Sequence, residues 1–245
     1  MDIRAIREGV FSSNSLKMIG AAAMLVDHVG LMFFPEITLL RILGRLAYPI
    51  FAFMIAEGCA HTGNRGRYFL RVFVLAAVCQ IVYFLVDGSA YFSILVTFCC
   101  GIGMVYALQD MKRELFAGER PGYLGAVEFA LTVVLVWLLN RRLTIDYGFW
   151  GCMVPVFASL FQSVEGAPDW LRKLDRKAVH VAMTGVGLTL LSWDLKGIQV
   201  WSLLALPLLM LYSGRRGKWN MKYFFYIFYP AHLVILQGIA WLIAA

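Results

Sequence analysis

The stretch LKMIGAAAMLVDHVGLMFF, residues 16–34, is apolar over a length suited to crossing a bilayer. A transmembrane helix needs about 20 mostly apolar residues to cross the hydrocarbon core. Its ionisable side chains are Lys17 at the start and the pair Asp27–His28 toward the end. We therefore predict that residues 16–34 form the first span of a membrane protein, and that the acid and the imidazole inside it serve a function.

The composition agrees with a membrane protein. Of the 245 residues, 61% are hydrophobic, 15% are charged, and the mean hydropathy is +0.73. Soluble domains are usually about half apolar and about a quarter charged. The chain has too few charges to cover a globular surface, which excludes a disordered, fibrous or ordinary soluble protein. We predict an all-α, polytopic transmembrane helix bundle.

Nine segments are candidates for spans, which predicts about nine crossings. They are residues 16–34, 39–60, 68–86, 91–108, 122–139, 147–163, 178–193, 197–212 and 222–243. The seventh and eighth are short and could form a tight helical hairpin. No polar stretch is long enough to fold separately, so we predict one transmembrane domain over 15–245, preceded by an amphipathic surface helix over 1–14. The N-terminus lacks the order of a secretory signal, so we expect insertion through the first span without processing.

Most of the 22 Lys and Arg residues fall in every second loop. They are Arg4, Arg7 and Lys17; Arg65, Arg67 and Arg71; Lys112, Arg113 and Arg120; Arg172, Lys173, Arg176 and Lys177; and Arg215, Arg216, Lys218 and Lys222. Because basic loops stay on the cytoplasmic side, we predict a cytoplasmic N-terminus and a C-terminus outside. This topology accounts for the net charge of +7, and we predict no nucleic-acid partner.

Three ionisable residues of the first two spans are predicted to share one depth. Asp27 and His28 lie about six residues, or about 9 Å, before the outer end of span one, and Arg45 lies equally deep in span two. One interpretation is a buried ion pair that only locks the two helices. The other is a general base or nucleophile, His28, oriented or made more basic by Asp27, beside an arginine that stabilises an oxyanion. Adjacent helical residues point about 100° apart, so the carboxylate could instead pair with Arg41 or Arg45 while the imidazole faces a cavity.

Two further polar groups lie in later spans. Asp146–Tyr147–Gly148 stands at the predicted outer end of span six, where the acid could be part of the site or simply cap the helix. Tyr229–Pro230–Ala231–His232 lies in span nine, where a proline interrupts the helical hydrogen bonds as membrane proteins tolerate beside a site. His232 is near the midplane, and a histidine satisfied by its surroundings is the alternative to a functional one.

The cytoplasmic end of span two is also polar. Glu57 and His61 share a helix face and are followed by Arg65 and Arg67. Two ligands are too few for a metal ion, so we predict no metal site. The group is either a salt-linked helix end or a rim that holds the phosphates of a cytosolic cofactor.

Four strings resemble the TraX family of integral membrane acyltransferases, named for a conjugative pilin acetylase. They are residues 16–34 quoted above, LRILGRLAYPIFAFMIAEGCAHTGNRGRYFLR (40–71), IDYGFWG (145–151) and LLALPLLMLYSGRRGKWNMKYFFYIFYPAHLVIL (203–236). The specific elements DHVG, GRLAYPIFAF, DYG and FYIFYPAHL occur in the family's order. The resemblance covers roughly the whole chain, although residues 105–140 and 160–200 carry no distinctive motif.

The resemblance implies transfer of an acetyl or other acyl group from acyl-CoA, normally acetyl-CoA, to an amine or hydroxyl. His28 in DHVG would be the catalytic residue, assisted by Asp27 and Arg45. Residues expected to line the substrate or cofactor site are Arg41, Glu57, His61, Arg65, Arg67, Asp146, Tyr147, Arg215, Arg216, Tyr229 and His232. Of these, Arg65, Arg67, Arg215 and Arg216 are expected to hold the CoA phosphates.

The resemblance further implies a multi-pass protein of the bacterial cytoplasmic (inner) membrane, in contact with membrane lipid. The acceptor stays open: a peptide N-terminus, a sugar, a cell-wall component or a small metabolite. Two other classes also fit the buried charges, namely a proton-coupled transporter or channel that uses Asp27, His28 and Arg45, and a scaffold in which they only fix helix packing. No inverted repeat is evident, which counts against a transporter.

Overall fold

A computed structural model describes residues 9–88, 91–118, 121–218 and 221–244 of the chain. Over these residues the predicted all-α architecture is confirmed, and extended pairing is limited to two isolated bridges, Phe11–Tyr212 and Phe92–Ile145. The helices are α1 Ser13–Phe33, α2 Thr38–Gly44, α3 Ala47–His61, α4 Arg65–Asp87, α5 Ile94–Ala117, α6 Gly122–Arg142, α7 Gly148–Ser159, α8 Asp169–Leu174, α9 Lys177–Leu195, a 3-10 helix Gly197–Leu204, α10 Ala205–Met210 and α11 Lys222–Ala244.

Seven candidate membrane spans occur within the described residues. Each coincides with one of the nine predicted spans, with α2 and α3 together forming the second. The predicted sixth and eighth spans are instead short apolar helices, Gly148–Ser159 and Gly197–Met210. An α-helix of 12 residues is about 18 Å long, against a hydrocarbon core of about 30 Å. The structure therefore supports a multi-pass membrane protein with fewer full-length helices than the hydropathy pattern predicts.

A proline explains why the second span consists of two helices. The helix pauses at Arg45 and Leu46, between α2 and α3. Pro49 has no amide hydrogen to donate to the carbonyl of Arg45, four residues earlier, and its ring would clash with that carbonyl. The interruption places Arg45 at the C-terminal cap of α2, where its side chain leaves the helix end.

Local sequence sets several other helix ends. The side chain of Ser12 accepts a hydrogen bond from the backbone of Ser15 at the start of α1, and Asn64 accepts one from Arg67 at the start of α4. Gly88 and Gly118 end α4 and α5 in the left-handed conformation that glycine adopts without a steric penalty. Polar N-caps thus fix the starts of α1 and α4, and glycines fix the ends of α4 and α5.

The chain folds into two compact units. The first comprises Met1–Met54 and Leu195–Ala245, and in it α1 packs against α2 and α11 while α2 packs against the 3-10 helix. The second comprises Ile55–Asp194, and in it α5 packs against α4, α6 and α7.

The predicted surface helix over 1–14 falls largely outside the described residues, which begin at residue 9. Phe11 is extended and exchanges backbone hydrogen bonds with the segment around Tyr212, through Leu211 and Ser213. The first described helix begins at Ser13.

Candidate active site

Asp27 lies between two arginines, Arg41 within α2 and Arg45 at the C-terminal cap of α2. Its carboxylate accepts a hydrogen bond from Arg41 Nη1 at 2.6 Å, and Arg45 Nη2 lies 2.7 and 2.8 Å from its two oxygens. Arg41 Nη1 also donates to the backbone carbonyl of Asp27 at 3.1 Å. Only 13% of the side-chain surface of Asp27 and of Arg45 is exposed, so these are largely desolvated ion pairs. The carboxylate predicted to orient His28 is therefore bound by guanidinium groups instead.

The three side chains carry a net charge of +1 inside an apolar helix pair. The other described carboxylate of this unit is Glu36, which is exposed in the turn between α1 and α2. A local positive charge of low solvent exposure favours a ligand or reaction intermediate with negative charge, because Coulomb interactions are stronger away from water. The cluster is thus suited to stabilising an oxyanion.

Two histidines meet between α1 and α11. His28 Nδ1 lies 2.8 Å from the Met24 carbonyl, and His232 Nδ1 lies 2.9 Å from the Phe228 carbonyl. A carbonyl only accepts hydrogen bonds, so both rings carry their proton on Nδ1 in the neutral form. His232 Nε2 lies 3.4 Å from His28 Nδ1, with ring centroids 5.0 Å apart. His232 therefore presents a lone pair to His28 Nδ1–H, and Nε2 of the half-buried His28 has a lone pair available as a base.

Tyr229 completes the α11 side of this histidine pair. It is buried, and its ring lies edge-on to that of His232 with centroids 5.7 Å apart. Phe228 stacks on the other side of the same imidazole, at 5.0 Å. The aromatic contacts leave His232 only 4% exposed and fix the ring that faces His28.

The close approach of α1 and α2 depends on Gly44. A Cβ atom at this position would overlap the side chain of Asp27. We expect Gly44→Ala to force the carboxylate away from the arginines and to lower the free energy of unfolding by about 1–3 kcal/mol, as overpacking does. Denaturant titration in detergent micelles measures this loss.

Gly103→Ala is the matched control for Gly44→Ala, since a Cβ at Gly103 in α5 meets nothing within 4 Å. Alanine favours a helix over glycine, so this variant should be as stable as the wild type or slightly more stable. Equal stability of the two variants would show that the contact between α1 and α2 does not require a glycine.

The Asp146 group belongs to the second unit, whereas the two histidines belong to the first. The Asp146 carboxylate accepts a hydrogen bond from the Tyr91 hydroxyl at 2.6 Å, and its backbone carbonyl accepts one from Thr97. Burial first, and then the neighbouring carboxylate, raise the pKa of Tyr91, which keeps this phenol protonated as a donor. Asp146 does not cap α7; the cap position is Tyr147, which has a left-handed φ of 59°. The network ties the start of α7 to the start of α5.

Several predicted cofactor residues of the second unit are engaged with protein groups. Arg65 forms an ion pair with Asp110, donates to Gln109 Oε1 at 2.7 Å, and lies 4.9 Å from the ring centroid of Tyr106. His61 Nδ1 donates to the backbone carbonyl of Glu57 at 2.9 Å. Arg65 thus links the start of α4 to α5, and His61 satisfies a carbonyl at the end of its own helix.

The Glu57 carboxylate accepts a hydrogen bond from Gln162 Nε2 at 3.4 Å. It therefore contacts a polar side chain of the loop after α7.

The exposed basic residues are better placed to meet an anion from solvent. Arg67 is exposed beside the start of α4, and Arg215 and Arg216 are exposed in the loop before α11. The carbonyls of Arg215 and Arg216 accept hydrogen bonds from the amides of Ser13 and Asn14, so this loop is fixed against the first turn of α1.

Sequence reasoning did not identify two buried polar residues. Gln199 of the 3-10 helix is 3% exposed, and its Oε1 accepts a hydrogen bond from Arg45 Nη1 at 3.4 Å. Lys112, assigned above to a cytoplasmic loop, is 5% exposed and donates to the carbonyls of Ser159 and Gln162 at 2.9 and 3.0 Å. Gln199 stands in the apolar run GIQVWSLL and Lys112 in the polar string LQDMKRELF, and neither pattern reveals a distant polar partner.

The fold and the site together define a class of protein. It is a multi-pass membrane protein that gathers an acid, two arginines and two histidines inside apolar helices. The sequence profile described as TraX protein matches residues 12–240. The chain belongs to the TraX family.

Two curated relatives extend this comparison. A probable fimbrial assembly protein FimC, serogroup H1, from Dichelobacter nodosus is 26% identical over 259 aligned positions, covering 92% of this chain and 94% of the relative. An uncharacterised protein from Rickettsia prowazekii (strain Madrid E) is 29% identical over 134 positions, covering 54% of this chain and 49% of the relative. No solved structure matches the chain.

Proposed function

We propose that this protein is a membrane-bound acyltransferase that moves an acetyl or other acyl group from acyl-CoA to an amine or hydroxyl. The observation that carries the proposal is the available Nε2 lone pair of His28, fixed by the bond from Nδ1 to Met24 and placed next to a cluster of net positive charge. A base beside a positively charged site is the pairing that acyl transfer requires.

The chemical step balances with the residues present. The acceptor N–H or O–H loses its proton to His28 Nε2 as its nitrogen or oxygen attacks the thioester carbonyl carbon. The carbon–sulfur bond breaks, and the CoA thiolate takes the proton from the imidazolium. The cluster of Asp27, Arg41 and Arg45 stabilises the negative charge that develops on the carbonyl oxygen.

The fimbrial name of the Dichelobacter relative favours a subunit of a surface fibre as the acceptor, and hence a peptide N-terminal amine. A sugar, a cell-wall component or a small metabolite offers the same nucleophilic groups. Candidate acceptors can therefore be compared in one assay.

The proposal is tested with protein reconstituted in liposomes and supplied with radiolabelled acetyl-CoA. We expect release of free CoA and recovery of the label on an added acceptor, first a peptide with a free N-terminus and then a sugar. Solute uptake or proton flux without CoA release would instead identify a transporter or channel, and the absence of all three activities would leave a scaffold.

The loop of Arg215 and Arg216 is proposed to hold the CoA phosphates. It is fixed to the first turn of α1, and His28 lies 15 residues further along this helix, or about 22 Å away. The pantetheine arm of acyl-CoA is long and flexible enough to connect such sites.

We expect the double variant Arg215→Ala, Arg216→Ala to raise KM for acetyl-CoA about 10-fold or more with little change in kcat, because uniform binding is lost. Steady-state kinetics measure this. Arg172→Ala removes an exposed charge from another basic segment and should leave KM unchanged. If both variants changed KM equally, the arginines of this loop would serve only to set the topology.

We further propose that the two short apolar segments cross the membrane, so that the N-terminus is cytoplasmic and the C-terminus is outside in an inner membrane. Asp146 bonds to Thr97 near the start of α5, and Ser159 and Gln162 bond to Lys112 near its end. Thr97 and Lys112 are 15 residues apart, or about 22 Å along α5. The segment around α7 therefore runs beside α5 over most of its length.

The segment Gly197–Met210 supports the same topology within the other unit. It begins beside Arg45 through Gln199 and is followed by Tyr212, which pairs with Phe11 at the start of α1. A 3-10 helix rises about 2.0 Å per residue, so this helix and α10 together reach about 25 Å. Exposed Trp137, Trp193, Trp201 and Trp241 fall at predicted outer ends and exposed Trp170 in a predicted inner loop, and tryptophan is enriched at both membrane interfaces.

Cysteine labelling tests the topology in a variant without native cysteines. Single cysteines replace the exposed residues Glu165, after α7, and Asp194, at the end of α9. In intact spheroplasts, we expect an impermeant maleimide to label Asp194→Cys and not Glu165→Cys, with the reverse in inside-out vesicles. Labelling of Glu165→Cys from outside would overturn the proposed topology.

A further inference from the structure

The 3-10 helix Gly197–Leu204 carries two buried polar side chains that the proposed mechanism does not use. Gln199 is 3% exposed and Ser202 is fully buried. Neither Gln199 Nε2 nor Ser202 Oγ has a hydrogen-bond partner among the residues that the structure describes. Buried polar groups are rarely left in this state, because each unsatisfied group costs about 1–3 kcal/mol.

The contact with Arg45 fixes the orientation of the Gln199 amide. Arg45 only donates hydrogen bonds, so the amide oxygen must face its Nη1, 3.4 Å away. The Nε2 donor is consequently directed elsewhere. A 3-10 helix has three residues per turn, which places Gln199 and Ser202 on one face about 6 Å apart along the axis.

Two neutral donors on one buried face require an acceptor that the described chain does not provide. Arg45 connects Gln199 to the carboxylate of Asp27. That carboxylate is already bound by Arg41 and by two contacts from Arg45 Nη2. Because these donors are neutral and buried, they suit a carbonyl oxygen better than a phosphate, whose desolvation needs charged partners.

We infer that Gln199 and Ser202 bind the carbonyl oxygen of the acyl group and stabilise the oxyanion formed on it. The inference rests on the proposed function. Gln199 and Ser202 would supply hydrogen-bond donors that no other group in the described part of the chain occupies. The Arg45 donors are already engaged, since Nη2 is bound to Asp27 and Nη1 donates to the oxygen of the Gln199 amide. The arginine then acts through the glutamine as well as through its charge.

Two substitutions separate carbonyl binding from the positioning of Arg45. Gln199→Glu retains an acceptor for the guanidinium but loses the donor, and Gln199→Leu loses both. We expect both variants to lower kcat for CoA release about 100-fold or more, as loss of an oxyanion donor does, with the thermal midpoint of Gln199→Glu no lower than that of the wild type. Activity close to wild type in Gln199→Glu would overturn the inference while leaving the acyltransferase function intact. A wild-type protein without CoA release would overturn both.

Ser202→Ala provides a second variant in case the Gln199 variants do not fold. Its kcat should fall about 10-fold, whereas Ser192→Ala, which also removes a hydroxyl with no partner among the described residues, should leave kcat unchanged. Infrared spectroscopy of acetyl-CoA labelled with carbon-13 at the carbonyl, bound to inactive His28→Asn protein, gives a readout without turnover. We expect a carbonyl band at lower frequency than in free acetyl-CoA, partly restored by Ser202→Ala. A band at the free position would overturn the inference.

Discussion

Replacement of His28 by asparagine is expected to abolish measurable CoA release, with a loss in kcat of about 100- to 10,000-fold, the range typical of a general base. The asparagine amide can still donate to the Met24 carbonyl, as Nδ1 of the histidine does at 2.8 Å. It has no basic lone pair at the position of Nε2. Single-turnover release of CoA from radiolabelled acetyl-CoA measures the effect.

The choice of asparagine keeps a loss of activity distinct from a loss of folding. His28→Asn should retain the thermal midpoint and the gel-filtration profile of the wild type, whereas His28→Ala also loses the hydrogen bond to Met24. A folded His28→Asn protein with wild-type turnover would assign the base to another residue, and His232, at 3.4 Å, would be the next candidate.

The second large effect is expected for Asp27→Asn. The substitution leaves two guanidinium groups without their counter-charge in a site where only 13–21% of the side-chain surface is exposed. Removing one partner of a buried ion pair costs about 3–5 kcal/mol, because the remaining charge is desolvated and unpaired. The free energy of unfolding in detergent micelles, from denaturant titration, should fall by this amount.

Asp110→Asn is the matched control for the loss of stability. It removes the carboxylate paired with Arg65, but 44% of the Asp110 side-chain surface is exposed. Solvent-exposed pairs contribute about 0–1 kcal/mol, so this variant should unfold almost as the wild type does. Similar losses in the two variants would mean that the Asp27 cluster is no better shielded from water than the surface pair.

Residue type and spacing along the chain predicted much of the first unit. The short connection between spans one and two makes them neighbours, so Asp27 and Arg45 had to approach if both helices formed. The sequence left open which group binds the Asp27 carboxylate. That an arginine binds it, and not His28, depends on side-chain directions at the end of α2. These directions follow from the interruption that Pro49 causes.

Other features could not be predicted because they depend on distant partners. Hydropathy counts residues 147–163 as one span, but the α-helix ends at Ser159, and the following carbonyls bond to Lys112 instead. Gln199 lies in the apolar run GIQVWSLL, and only its contact with Arg45, 154 positions earlier, reveals a polar environment. Burial of a polar side chain depends on the folded bundle, and the local sequence does not show it.

The short length of α7 has a consequence for how the chain enters the membrane. A helix of 12 residues is too short to be stable alone in a hydrocarbon layer of about 30 Å. The carbonyl of Ser159 at its end and that of Gln162 in the following loop accept hydrogen bonds from Lys112 of α5, a helix made earlier during synthesis. In the proposed topology, insertion of this segment depends on α5, so that the order of synthesis becomes part of the folding mechanism.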